Sequence, residues 1–121
     1  MRTFILALLL LPATVFAQYE NNPQQQNLWE AMTNVAPAYE MLLACDRDYT
    51  ANLVWEDLAA FAATMVQNER DVLITHEMWR EARSNAQITY WNAIRSMRQN
   101  PQGSVCDDLE NDVIGILGEG V

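Results

Sequence analysis

Residues 38–100 read AYEMLLACDRDYTANLVWEDLAAFAATMVQNERDVLITHEMWREARSNAQITYWNAIRSMRQN, a run of 63 residues between Pro37 and Pro101 without one glycine or proline. A β domain needs turn chemistry about every 8–12 residues, so this run argues for helices. All four glycines of the 121-residue chain fall at or after Gly103. Inside the run, apolar residues recur at helical spacing. Val54, Leu58, Phe61 and Met65 form one stripe, with Asn52 placed to cap it. Met78, Trp79, Ala82, Ala86, Tyr90, Ala93, Ile94 and Met97 form a longer one, predicted as a single helix over about 75–99. Between them, residues 67–71 are polar on every face, which fits either a turn or one continuous exposed helix.

On the N-terminal side, Asn27 with Glu30 makes a reciprocal capping pattern. It opens a helix with the stripe Leu28, Trp29, Met32, Val35, Ala36, Tyr39, Leu42 and Leu43, ending near Cys45. The stripe keeps phase across Pro37, which predicts a kink there and not a stop. On the C-terminal side, residues 100–103 end the long helix. Ser104 with Asp107 then caps a last helix carrying Val105, Leu109, Val113, Ile116 and Leu117. Short connections predict antiparallel neighbours. The expected fold is all-α, a small antiparallel bundle of about four helices stapled by one disulfide, with a single domain over 27–121.

The first residues read as an export signal. Arg2 is a short positive region, Phe4 to Leu11 is uninterrupted apolar sequence, and Val15-Phe16-Ala17 suits a signal peptidase. A membrane span takes about 20 apolar residues, whereas Phe4 to Ala17 is only 14 with Pro12 among them. Residues 1–17 are therefore expected to be cleaved and 18–26 to be a flexible mature N-terminus. The location implied is periplasmic or secreted. Cysteine usage agrees, because the chain has two, Cys45 and Cys106, and an even count in an exported protein reads as a bridge. Their spacing is not Cys-x-x-Cys and each is followed by an aspartate, which favours a structural over a redox role.

Charge narrows the partners. The chain has 16 acids, seven arginines and no lysine, for a net charge of −9. Cleavage removes Arg2 and none of the acids, which makes the mature chain −10. Nucleic acid and anionic membranes both call for clustered cations, so both are disfavoured. Catalytic and metal signatures are weak. The lone His76 precedes Glu77, but a zinc-peptidase helix needs a second histidine where Arg80 stands. The acidic run 107–112 lacks the glycine and distal glutamate of a calcium loop. The methionines fall on or near core stripes, which suits core filling better than copper. No serine or cysteine has a histidine partner at recognisable spacing. A non-enzymatic protein without cofactor is the expectation, with metal handling a minor alternative.

One pattern remains. Arg80, Arg83, Arg95 and Arg98 place four of six mature arginines on the predicted 75–99 helix, and Arg80 and Arg98 share an angular position if that helix is continuous. Trp91 and Ile88 lie near that side. Arginine and tryptophan are enriched at binding hot spots; equally, these arginines can pair with acids of neighbouring helices.

The order of short motifs resembles the LprI-type lysozyme-inhibitor family of exported bacterial proteins. The matching pieces are residues 41–45 (MLLAC) with Tyr49, Leu58 and Phe61, Leu73, the Trp79-x-x-x-Arg83 spacing, Gly103-Ser104, Cys106, and a final helix ending in Leu117. The chain departs from the family at His76, where a glutamine is usual, and at Gln87, where a cysteine is common. One family disulfide is therefore missing, and the Cys45–Cys106 bridge is the one that remains. The resemblance implies a helical exported domain of a family some members of which bind and inhibit lysozyme. Partner-binding candidates are then Trp79, Arg80, Arg83, Trp91, Arg95 and Arg98. The function expected is blockage of a cell-wall glycan hydrolase, a cationic lysozyme-like protein, by binding. The alternative is a non-inhibitory periplasmic interaction module, such as an envelope-complex subunit or a toxin-neutralising protein.

Overall fold

The structure, a computed structural model, describes residues 22–119. The expected signal peptide 1–17 and residues 18–21 lie outside them. Five helices follow in order: α1 Pro23–Ala44, α2 Asp48–Ala63, α3 Glu69–Thr89, α4 Trp91–Gln99 and α5 Ser104–Glu119. Among the described residues there is no strand, and no helix is long and apolar enough to cross a membrane. The expected all-α bundle is what forms, with the longest predicted helix divided in two.

The boundaries differ from the sequence reading at four places, each for a local reason. Helix α1 begins at Pro23 and not Asn27, so residues 23–26, expected in a flexible mature N-terminus, form its first turn. The cap is Asn22, whose Oδ1 accepts from the backbone N–H of Gln24 at 3.0 Å and of Gln25 at 3.2 Å. Pro23 at the first helical position costs no hydrogen bond there and pre-sets φ. Helix α2 starts at Asp48, a full turn before Asn52. The polar stretch 67–71 is divided: residues 64–68 form a break, and α3 already begins at Glu69, ahead of the expected start near 75. Asn68 Oδ1 accepts from the Asp71 N–H at 2.9 Å while Asp71 Oδ2 accepts from the Gln67 N–H at 3.0 Å, a reciprocal cap that starts α3. Finally, Tyr90 leaves helical geometry (φ −110°, ψ 26°) and separates α3 from α4.

Helix α1 runs through Pro37 and stops at Cys45 in a Schellman turn. The Asp46 N–H reaches Leu43 O at 3.1 Å and the Arg47 N–H reaches Leu42 O at 2.8 Å. Asp46 takes the left-handed position of that turn, φ 58°, which is usually given to glycine.

Helix α1 is the centre of the fold, packing against each of the other four. The main core joins Leu28, Met32 and Ala36 of α1 to Leu58 and Ala62 of α2 and to Met78, Trp79, Ala82 and Ala86 of α3. A smaller cluster joins Leu42, Ala51, Val54 and Val113, and this is where α5 enters. Cys45 and Cys106 form the disulfide, with Cα atoms 5.7 Å apart and both residues fully buried. It ties the end of α1 to the first turn of α5.

Candidate protein-binding site

Beside the disulfide, Arg47 fans out over α5. Its Nη2 donates to Asp107 Oδ1 at 2.7 Å and to Pro101 O at 3.4 Å, and its Nη1 donates to Glu110 Oε1 at 3.0 Å. The buried Thr50 hydroxyl donates to Glu110 Oε2 at 2.7 Å. Among the described residues, the side-chain polar and disulfide ties of α5 to the rest of the bundle therefore fall in residues 106–110. Beyond that, α5 is held by Val113 and Leu117.

A second polar network lies between α1 and α3. Glu40 is only 6% exposed, and its Oε1 accepts from Arg83 Nε at 2.7 Å and from Gln87 Nε2 at 2.8 Å. The Arg83 guanidinium also sits 5.0 Å from the centre of the Tyr39 ring. Tyr39 in turn meets Trp79 edge-on at 5.2 Å, and the Trp55 ring lies 5.2 Å from that of Trp79 at a tilt of 32°.

These contacts sort the six candidates. Trp79 is 9% exposed and packs in the core among aromatics, while its remaining edge lines a shallow surface depression with His76, Arg80, Arg83, Ser84 and Gln87. Arg83 is a half-buried ion-pair partner of Glu40. Arg80, Trp91, Arg95 and Arg98 are exposed, and the three arginines have no ion pair among the described residues. The break at Tyr90 means that Arg80 and Arg98 do not lie on one continuous helix. What gathers at the break is instead an exposed apolar patch of Ile88, Tyr90 and Trp91, with Arg95 one turn beyond Trp91. No group of three or more metal-ligating side chains clusters among the described residues.

An apolar groove was not foreseen from the sequence. A groove of about 720 Å³ runs between α1, α2 and α5. Ala31, Val35 and Ala38 line it from α1, Val54, Leu58 and Phe61 from α2, and Val113, Ile116 and Leu117 from α5. Phe61 and Ile116, expected on core stripes, are 39% and 68% exposed at its mouth. Asn34 and Asp57 are the polar lining.

Charge divides along the same line. Helices α1, α2 and α5 carry ten acids and no basic residue, whereas α3 and α4 carry five arginines against four acids. Glu40 pairs with Arg83, and Asp107 and Glu110 pair with Arg47, which leaves the excess of acid on the helices that line the groove, with Asp57 in the lining itself. Compared with protein-family models, curated proteins and solved structures, the chain matches none.

Proposed function

We propose that this protein is an exported, non-catalytic binding protein that occludes a cationic cell-wall glycan hydrolase of the lysozyme type. The observation that carries the reading is the division of charge: the three helices that frame the groove carry ten acids and no base, and among the described residues only Glu40, Asp107 and Glu110 of those acids are ion-paired. Such a face speeds encounter with a cationic surface and suppresses wrong partners. The resemblance of the short motifs to LprI-type inhibitors makes a lysozyme the first partner to test. Inhibition here is physical coverage of a cleft, without chemistry by this chain.

The test is turbidity loss of cell-wall suspensions by a cationic lysozyme, with protein isolated from the periplasm over a salt series. Slower lysis at low salt, recovering as ions screen the attraction, supports the reading. Undiminished lysis under excess protein at low salt overturns it. A second reading, a non-inhibitory interaction module, draws on exposed Ile88, Tyr90 and Trp91 beside Arg95. It gains if Trp91→Ala abolishes a partner's binding while Ile116→Glu leaves it intact.

A further inference from the structure

We infer that the α1/α2/α5 groove is a docking site for a basic amphipathic helix of a partner protein. This deepens the reading that the acidic side meets the partner, and rests on it. Three observations on the groove converge.

The first is shape. The α1 and α2 walls each present three residues at i, i+4 and i+7: Ala31, Val35 and Ala38 on one, Val54, Leu58 and Phe61 on the other. Two helical turns span about 10 Å, the reach of the i, i+3/i+4, i+7 anchors by which a helix seats in a groove. The small side chains of Ala31, Ala38 and Ala60 let another backbone come close.

The second is an unpaid apolar surface. Ile116 is 68% exposed at the mouth and Phe61 is 39% exposed, both facing a concavity and not scattered over a convex surface. Contiguous apolar exposure of this kind marks a contact surface.

The third is charge. Asp57 lies in the lining itself. Glu30 stands one turn before Asn34 on α1, and Asp112 one turn before Ile116 on α5, so each continues a lining strip with a carboxylate. No basic residue occurs on any of the three helices. An apolar floor with an acidic rim is complementary to a helix bearing leucine-like residues on one face and Arg or Lys flanking them. The same rim repels a fatty-acid carboxylate and the acidic face of a second copy.

The experiment uses protein isolated from the periplasm after expression of the full chain. The probe is a labelled 14-residue Leu/Arg peptide patterned as an amphipathic helix, with scrambled Leu/Arg and patterned Leu/Glu peptides as controls. Fluorescence anisotropy gives affinity, and amide NMR shifts locate the site. The patterned basic peptide is expected to bind, to shift residues 31–38, 54–61 and 113–117, and to weaken as salt rises. Ile116→Glu, at an exposed position that leaves folding intact by melting temperature, is expected to weaken it at least tenfold. Asp57→Asn with Asp112→Asn should weaken it severalfold and flatten the salt dependence. Equal affinity for wild type and Ile116→Glu, equal binding of the scrambled or Leu/Glu peptide, shifts confined to α3 and α4, or no binding would each overturn the site. So would a dimer in sedimentation that Ile116→Glu makes monomeric, because the occupant would then be a second copy. The lysis assay separates the two readings. Inhibition untouched by Ile116→Glu leaves the proposed function standing and removes the groove, whereas groove binding of the peptide without inhibition does the reverse.

Discussion

Glu40 of α1 and Arg83 of α3 form an ion pair at 2.7 Å in which the acid is 6% exposed and the base about a third exposed. The carboxylate also accepts from Gln87, so a buried charge is fully hydrogen-bonded between the two helices that share the main core. Removing only the base strands that carboxylate. Arg83→Leu should therefore cost about 2–3 kcal/mol, at the lower end for a buried pair because Arg83 reaches solvent. Changing both residues, Glu40→Met with Arg83→Leu, should recover most of the loss. Urea melts of the three variants measure this, and equal destabilisation by the single and double changes would refute it.

The Cys45–Cys106 bridge closes a loop with a sequence separation of 61. In the chain-entropy treatment it contributes about 4 kcal/mol, a large share of the 5–15 kcal/mol or so by which domains are stable. The double change to alanine should lower the unfolding midpoint accordingly. Hydrogen exchange should then speed up first in α5, which loses its disulfide cross-link to α1.

Asp46 occupies the left-handed position at the end of α1, where a side chain is strained. Asp46→Gly should stabilise the protein by about 0.5–1 kcal/mol, a rise of a few degrees in Tm for a domain of this size. No change, or a fall, in thermal melts would show that the carboxylate offsets the strain.

Trp79 and Trp91 should separate cleanly. Trp79→Ala empties the centre of the aromatic cluster and should cost about 3–5 kcal/mol, whereas the exposed Trp91→Ala should stay within about 0.5 kcal/mol. The same holds for Arg80, Arg95 and Arg98, which have no ion pair among the described residues. Changing all three to alanine makes the chain more acidic, so association with a cationic partner should hold or strengthen. A weakened association by titration calorimetry would move the contact to α3 and α4.

Helix content, the bridge and the buried stripes of Met32, Leu58, Met78 and Ala82 follow from periodicity and from the glycine-free run. The ends follow less well. Asn27 and Asn52 have the right chemistry for caps, but Asn22-Pro23 and Asp48 start their helices a turn earlier, and local chemistry cannot rank competing caps. Glu40 was legible in principle, because an acid one turn after Ala36 on a core stripe must find a donor. Arg47 was not, since an arginine flanked by aspartates reads as solvated linker until the disulfide brings Asp107 and Glu110 to it. The groove is the least legible feature. Whether Phe61 and Ile116 are core or rim depends on how far apart three helices stand, and stripes fix direction but not distance.

Among the described residues, the disulfide and the bonds from Arg47 and Thr50 grip the opening turns of α5, while its later turns pack through Val113 and Leu117. The helix is pinned at the heel and sprung at the toe. Like the arm of a clothes-peg, it would pivot about that heel: leaning outward at Ile116 would part apolar contacts but break neither the disulfide nor an ion pair.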